Sequence, residues 1–492
     1  MPNPPNILLI VVDQWRADCL GVAGHPVVQT PHLDMLAADG TRFTHAYAAV
    51  PSCIAARASL LTGLHQRNHG RVGYRDGVPW NYPTTLAGTF AAAGYHTQAV
   101  GKMHVYPTRS LQGFHNVVLH DGYLHAVRRR DPHLIIEGDY LWDLRRQHGV
   151  DADTIDSGIG CNGYVVSPWP YDPMLHPTAW VTTQSIDFLR RRDPDKPFFL
   201  MASYHRPHPP LDPPQAYLDI YRDVVLPPLP RGDWVGGEGL PHVSHRMHAI
   251  DSPKPQDANQ ITRARRAYYA QCTFIDHQIN RLTMALIEHR VLADTAIIFV
   301  ADHGDMLYDH ELVAKALPYE GSAGVPLIIR PPQRTPQQVP GLPGGRTVDA
   351  PVELRDLFPT LCDLAGIPTP GGLDGQSLMP FVRGERPPWR EWLHGEHEWG
   401  RFSNHWLTDG RTKYAWYSQT GREQLFDLAA DLTECHDVAT ERPEVLALWR
   451  TRLAEELAGR EEGYVQDGRL AVGRPVAVLS KKSNGIPRSL EI

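Results

Sequence analysis

Apolar residues fall along the chain in short runs without polar alternation, and several runs end on a cluster of polar residues. Residues 7–12 (ILLIVV) stop at Asp13, and a shorter run closing at residues 98–100 leads into Gly101-Lys102-Met103-His104. Residues 197–202 enter Tyr204-His205-Arg206-Pro207-His208, and residues 295–300 reach Ala301-Asp302-His303-Gly304-Asp305. A fifth run, residues 326–330, follows the loop that carries Lys315. Uninterrupted β-branched runs of this length predict strands buried on both faces, hence a mostly parallel sheet covered by helices. The spacing predicts helices at residues 31–39 and 85–93, each followed by a glycine suited to a left-handed cap, and a longer one at 263–287.

The rhythm breaks over residues 105–180, which read as an irregular insertion serving as surface elaboration or substrate-binding loop. Beyond Pro380 the pattern alternates: residues 405–407, an Asp409-Gly410 turn, then 412–418 and 423–426 predict antiparallel hairpins. A helix follows from about Pro443, with Leu446, Trp449, Leu453 and Leu457 on one face and Gly459 at its end. The expected architecture is α/β: a large mixed, mostly parallel sheet flanked by helices over residues 1–385, and a small C-terminal antiparallel sheet with a helix over 386–464. Residues 465–492 carry no core of their own. They are a frayed tail, or an arm that makes a homo-oligomer by docking on a neighbouring subunit.

Composition narrows the function. The 492 residues carry a formal charge of −7, and no basic run exceeds Arg128-Arg129-Arg130, which excludes a general nucleic-acid or membrane-surface binder. The longest early apolar run is the six residues 7–12 and the first basic residue is Arg16, so neither a signal peptide nor a membrane span is predicted, and a cytoplasmic chain is expected. Six cysteines (19, 53, 161, 272, 362 and 435) lie far apart without a C-x-x-C pair, which fits reduced thiols better than a disulfide framework or a zinc site.

Open α/β sheets bind ligands outside the carboxyl ends of their strands. That rule gathers Asp13, Lys102, His104, His208, Asp302 and His303. Asp13-Gln14 and Asp302-His303 offer two carboxylates, an amide oxygen and an imidazole to one cation. The oxygens suit Ca²⁺ or Mg²⁺ and the imidazole shifts the balance toward Mn²⁺, while the bland alternative is that each aspartate caps a turn. Residues after Cys53 are strong helix formers. The cysteine therefore falls at a helix N-terminus, where backbone N–H groups favour an anion and lower a thiol pKa, with Arg57 one turn on. His242, His245 and His248 follow a Gly/Pro-rich loop and read as solvent-facing rather than as a second metal site. The His394-Gly395-Glu396-His397 cluster either lines the pocket or caps a turn, and Arg128–Arg130 is a solvated face.

Cys53-Ile54-Ala55-Ala56-Arg57 followed by Leu60-Leu61-Thr62-Gly63 resembles the sulfatase signature, C-x-[PA]-x-R with a following L-x-T-G. Over nearly its whole length the chain resembles an arylsulfatase-like member of the formylglycine-dependent sulfatases in the alkaline phosphatase superfamily. The resemblance implies an alkaline-phosphatase-like fold and a Cys53 oxidised to formylglycine by a formylglycine-generating maturation enzyme, its hydrated gem-diol being the nucleophile. It implies a divalent cation, Ca²⁺ with Mn²⁺ as the alternative, held by Asp13, Gln14, Asp302, His303 and the modified Cys53. Arg57 would hold the hydrate and help neutralise the anion. Lys102 and His104 match the family's G-K-x-H element: the lysine contacts the sulfate oxygens and the histidine assists breakdown of the intermediate. His208 and Lys315 match the pair that contacts the ester and its leaving group. The implied substrate is a small-molecule sulfate ester. Gln14 and His303 replace the second Asp and the Asn of many sulfatases, and this resembles the choline-sulfatase and phosphonate monoester hydrolase branches. A phosphonate monoester hydrolase or phosphodiesterase using the same nucleophile is the alternative. A non-catalytic anion-binding relative would require Cys53 to remain a thiol. Specificity is expected in residues 105–180, 232–260 and 394–402.

Overall fold

The computed structural model describes residues 4–122, 138–241, 257–333 and 344–480. Its strands, in chain order, are Asn6–Asp13 (β1), Thr41–Phe43 (β2), Ala46–Tyr47 (β3), His96–Gly101 (β4), Asn116–Leu119 (β5), Phe198–Pro207 (β6), Thr295–Ala301 (β7), Leu327–Arg330 (β8), Arg346–Val348 (β9), Val352–Glu353 (β10), Leu393–His397 (β11), Asn404–Thr408 (β12), Thr412–Tyr417 (β13), Glu423–Asp427 (β14), Val465–Gln466 (β15) and Arg469–Leu470 (β16). Eight form one sheet in the order β5-β4-β6-β1-β7-β8-β2-β9. β5 to β7 are mutually parallel, and β8 runs antiparallel to both of its neighbours. β1, β6 and β7 are buried along nearly their whole length, as uninterrupted apolar runs require when helices cover both faces.

The helices form where the punctuation predicts them. Pro31–Ala38 has proline in its first turn, and Leu86–Ala92 is capped by Thr85 Oγ1, which accepts from the Gly88 N–H. The long helix Ala258–Glu288 begins five residues earlier than its apolar periodicity suggests, because Asp257 caps it by accepting from the Gln260 N–H. Residues 105–180 are less irregular than expected. They supply the edge strand β5, the helix Asp139–His148 and the start of Pro177–Arg191.

β11 to β14 form a second, antiparallel sheet in sequence order. The helix Pro443–Glu456 sets Trp449 and Leu453 against Leu407, Tyr414, Trp416 and Leu425, with Leu457 just beyond its end in the same cluster. The His394–His397 cluster corrects its sequence reading: it is the buried strand β11, and none of its side chains lines the cavity described below. A strand this polar survives burial because its charge is answered. The Arg460 guanidinium donates to both Glu396 oxygens at 2.9 and 3.0 Å and to Glu462 at 2.9 and 3.0 Å.

The segment from β15 to Ser480 lies back on the chain itself. Val72 N–H donates to Val478 O and Ser480 N–H to Gly70 O. Arg128–Arg130, His242, His245, His248 and residues 481–492 lie outside the described residues. Among the described residues no helix is long and apolar enough to cross a membrane.

The Glu396–Arg460 pair yields a stability prediction. Burial pushes the Glu396 carboxyl up, but Arg460, His405 and His394 hold it far below its ordinary 4.5. A depressed carboxyl contributes stability above its unfolded pKa that is lost as pH falls. Arg460→Met should therefore cost roughly 3–5 kcal/mol at neutral pH by stranding a buried carboxylate. Urea unfolding should show that cost shrinking well below pH 4.5 as Glu396 takes up a proton.

Candidate active site

The parallel ladder continues one residue past the strand ends and aligns the polar residues there. Lys102 N–H donates to Ser203 O (2.9 Å), Asp302 N–H to Val12 O (3.1 Å) and His208 N–H to Asp13 O (3.2 Å). Gly101 makes the approach of β4 to β6 feasible: at φ +96° a Cβ there would lie 1.9 Å from Ser203 O. After β1 the chain turns through Gln14 at φ +66°. Tyr268 of the long helix braces that turn, donating its hydroxyl to Gln14 O (2.7 Å) and accepting from Arg16 N–H (3.0 Å).

Cys53 opens the helix Cys53–Thr62, whose ten residues are all buried, and Gly63 closes it at φ +67°. The donor atoms of Asp13, Cys53, Asp302 and His303 all lie within 4.8 Å of one another. His303 Nε2 is 3.1 Å from Cys53 Sγ, 3.5 Å from Asp13 Oδ1 and 3.7 Å from Asp302 Oδ1. Its Nδ1 lies 2.9 Å from Gly304 O, so Nδ1 carries the hydrogen and the Nε2 lone pair faces the cluster. Two carboxylates, an acceptor imidazole and the side chain at position 53 form a donor set that fits a divalent cation.

Cationic side chains surround this cluster. Lys102 Nζ pairs with Asp13 Oδ2, and Arg57 Nε donates to Asp302 Oδ2 at 2.9 Å. Arg57 Nη1 is bound by Lys102 O and Ser203 Oγ, while its Nη2 is buried without a partner. Gln14 is placed differently from the other predicted ligands: its Oε1 accepts from Lys315 Nζ at 2.5 Å, and its amide donates to Asp305 Oδ2 at 2.6 Å. Burial would raise the Asp13 carboxyl, but Lys102, His208, His303 and Lys315 hold it well below the usual range. Burial and the adjacent Asp13 raise the Asp302 carboxyl.

Cys53, Lys102, His104, His208 and Lys315 line one pocket that is partly open to solvent. His208 Nδ1 lies 2.7 Å from Pro209 O and so carries the hydrogen there, while burial and Lys315 hold the ring well below its ordinary pKa. Burial and Lys102 oppose charge on His104, yet Asp76 and, while residue 53 is a thiol, Cys53 raise it to about 9. Tyr74, Asp121, Cys161, Asn162 and His205 also line the cavity. Asp121, Cys161 and Asn162 come from the segment expected to touch substrate, whereas Tyr74 carried no signal in the sequence.

A mostly parallel sheet with a cluster of carboxylate and imidazole donors at its carboxyl edge is the fold of the alkaline phosphatase superfamily. The solved phosphonate monoester hydrolase of Agrobacterium radiobacter superposes with a TM-score of 0.75 at 27% identity, covering 96% of this chain and 100% of that one. Residues 5–367 match the Sulfatase family, and residues 308–461 match the C-terminal part of N-sulphoglucosamine sulphohydrolase. An arylsulfatase of Clostridium perfringens (strain 13 / Type A) is 48% identical over 483 residues, covering 96% of this chain and 99% of that one. A choline-sulfatase of Rhizobium meliloti (strain 1021) is 30% identical, covering 88% and 82%. The chain belongs to the sulfatase family, and it is a sulfuric ester hydrolase.

The electrostatics of Cys53 are testable in protein where it remains a thiol. Burial and Asp13 would raise that thiol, but Lys102, Lys315 and His303 bring it well below its ordinary 9.0, whereas burial raises Cys19, Cys272 and Cys362. Peptide mapping after brief treatment with a small alkylating reagent at pH 7 should find Cys53 labelled ahead of those three.

Proposed function

We propose that the chain hydrolyses small sulfate monoesters, releasing sulfate and an alcohol or phenol, through a nucleophile made by oxidation of Cys53. The observation that carries this reading is the single cavity in which Cys53 meets Lys102, His104, His208 and Lys315 beside the Asp13/Asp302/His303 donors. Converted to formylglycine by a maturation enzyme and hydrated, residue 53 would supply an activated hydroxyl. Asp13, Asp302, His303 and residue 53 would hold the cation, Ca²⁺ with Mn²⁺ as the alternative, and Gln14 would add the oxygen that Lys315 now engages. The bound ion would supply positive charge to the nucleophile and the sulfate oxygens.

The chain's own residues divide the remaining work. Lys102 and the free Nη2 of Arg57 neutralise the sulfate oxygens, in a site whose donors are fixed before substrate arrives. The His208 hydrogen is spent on Pro209 O, so the group with a proton to give the departing alcohol is the Lys315 ammonium, and His208 accepts hydrogen bonds through Nε2. His104 takes up the proton released from residue 53. Six cysteines with no disulfide among the described residues fit a reducing compartment such as the cytoplasm.

A second reading is favoured by the Gln14/His303 pair and by the phosphonate monoester hydrolase superposition: the same centre would cleave phosphonate monoesters. Rates on an aryl sulfate and an aryl phosphonate monoester should favour the sulfate, and the reverse order would replace the first reading by the second. Mass analysis of the Cys53 peptide from active protein should show the thiol replaced by an aldehyde, and Cys53→Ala should bind substrate without turnover. Chelation should abolish activity and lower Tm, with both restored by Ca²⁺ or Mn²⁺, since a ligand that binds only the folded state stabilises it.

A further inference from the structure

His104 is held from two sides. Its backbone N–H and that of Met103 donate to Asp121 Oδ1 at 2.8 and 2.7 Å, which secures a residue at φ +55°, a conformation that is costly without a restraint. On the ring, Nε2 lies 3.3 Å from Asp76 Oδ1, and the other Asp76 oxygen accepts from the Tyr74 hydroxyl at 2.7 Å. Nδ1 is buried without a hydrogen-bond partner, and the ring lines the cavity together with Cys53. An ionised carboxylate only accepts, so the nitrogen facing Asp76 is the one that bears hydrogen. In the neutral ring this leaves the Nδ1 lone pair for the cavity.

We propose that Asp76 is a positioning residue for the sulfatase reaction: braced by Tyr74, it fixes the His104 tautomer with hydrogen on Nε2, so that Nδ1 accepts the proton released from residue 53. As the proton moves from the free hydroxyl of sulfated residue 53 to Nδ1, the O–H electron pair forms the aldehyde C=O, the C–O bond to the sulfate breaks and sulfate leaves; Asp76 stays ionised and steadies the imidazolium so formed, and the proton later passes to water. Asp76 is not among the residues that line the cavity and acts through His104, which is. Its side chain is about half exposed (51%), so a merely structural role would leave the fold indifferent to its replacement. Two aimed partners, one on each carboxylate oxygen, are more than a solvated loop residue needs. The proposal rests on the catalytic reading given above.

The test uses Asp76→Asn and Asp76→Glu in the full chain. An asparagine can turn its NH₂ toward Nε2 and favour hydrogen on Nδ1, whereas glutamate keeps an acceptor in reach. In Cys53→Ser protein, which needs neither maturation nor substrate, ¹⁵N NMR of the histidine rings at alkaline pH should show His104, assigned by its loss in His104→Gln, with hydrogen on Nε2. Adding Asp76→Asn should shift that hydrogen to Nδ1. In matured enzyme, Asp76→Asn should lower kcat by about 100-fold, the scale of a lost general base, with KM and Tm nearly unchanged, and Asp76→Glu should recover part of the loss. An unchanged His104 tautomer in Asp76→Asn, or a loss in KM and Tm rather than kcat, overturns the proposal. A shifted tautomer alongside wild-type protein that cleaves no sulfate ester overturns the functional reading and leaves the Asp76–His104 pairing intact.

Discussion

Two carboxylates from neighbouring strands, Asp13 and Asp302, are driven to one buried point, and the rest of the centre is an answer to their repulsion. Hydrogen-bonded pairing of β1 with β7 leaves no freedom to separate them, since Asp302 N–H is itself bound to Val12 O. Burial of like charges at this range is prohibitive unless opposite charge is brought in. Lys102 comes from the end of β4, Arg57 from the helix that Cys53 opens, Lys315 from the loop before β8, and His303 from the residue after Asp302. A dication, on the reading proposed above, would complete the balance. The sheet's order thus dictates that this point is electron-rich and that its surroundings are cationic, which is what binding a tetrahedral anion requires.

The second sheet serves the same point from a distance. Glu396 N–H donates to Ala49 O and Glu398 N–H to Val72 O, so β11 grips the chain on both sides of the cysteine helix. Asn404 Nδ2 donates to Ala316 O, and Ala316 N–H donates to Pro51 O, which ties β12 to the Lys315 loop and that loop to the approach to Cys53. The Cys53 helix and the Lys315 loop are therefore held by elements from residue 393 onward, far downstream of both in the chain. The buried Glu396–Arg460–Glu462 cluster is the electrostatic condition for that polar strand to exist at all.

Much of this was legible in the sequence because it depends on two robust signals. Fully buried strands must be apolar without alternation, so residues 7–12, 197–202 and 295–300 announced themselves and delivered Asp13, His208 and Asp302 at their ends. A helix that begins at a functional cysteine needs helix formers after it and a glycine at its close, which Ala55 to Gly63 provide. What escaped depends on tertiary charge pairing and loop conformation. β11 is polar in sequence and buried only because Arg460 reaches it; β5 is a four-residue edge strand inside a loop-rich stretch; Tyr74 and Asp76 lie in a turn with no periodicity. Gln14 was legible as a donor, but its engagement by Lys315 was not, since nothing in the sequence shows how side chains three hundred residues apart share a partner.

The burial of the whole cysteine helix sets an order of events. Small reagents can enter the cavity, but a protein-sized modifying enzyme cannot reach a main chain enclosed by β11, the Lys315 loop and the strand ends. If Cys53 is oxidised enzymatically, that chemistry must therefore act on a nascent or unfolded chain, before Leu393–His397 has been synthesised and docked. The nucleophile would then be decided once per molecule, in the interval between emergence of residue 53 and closure of the second sheet. A chain that folded first would stay a thiol protein until it unfolded.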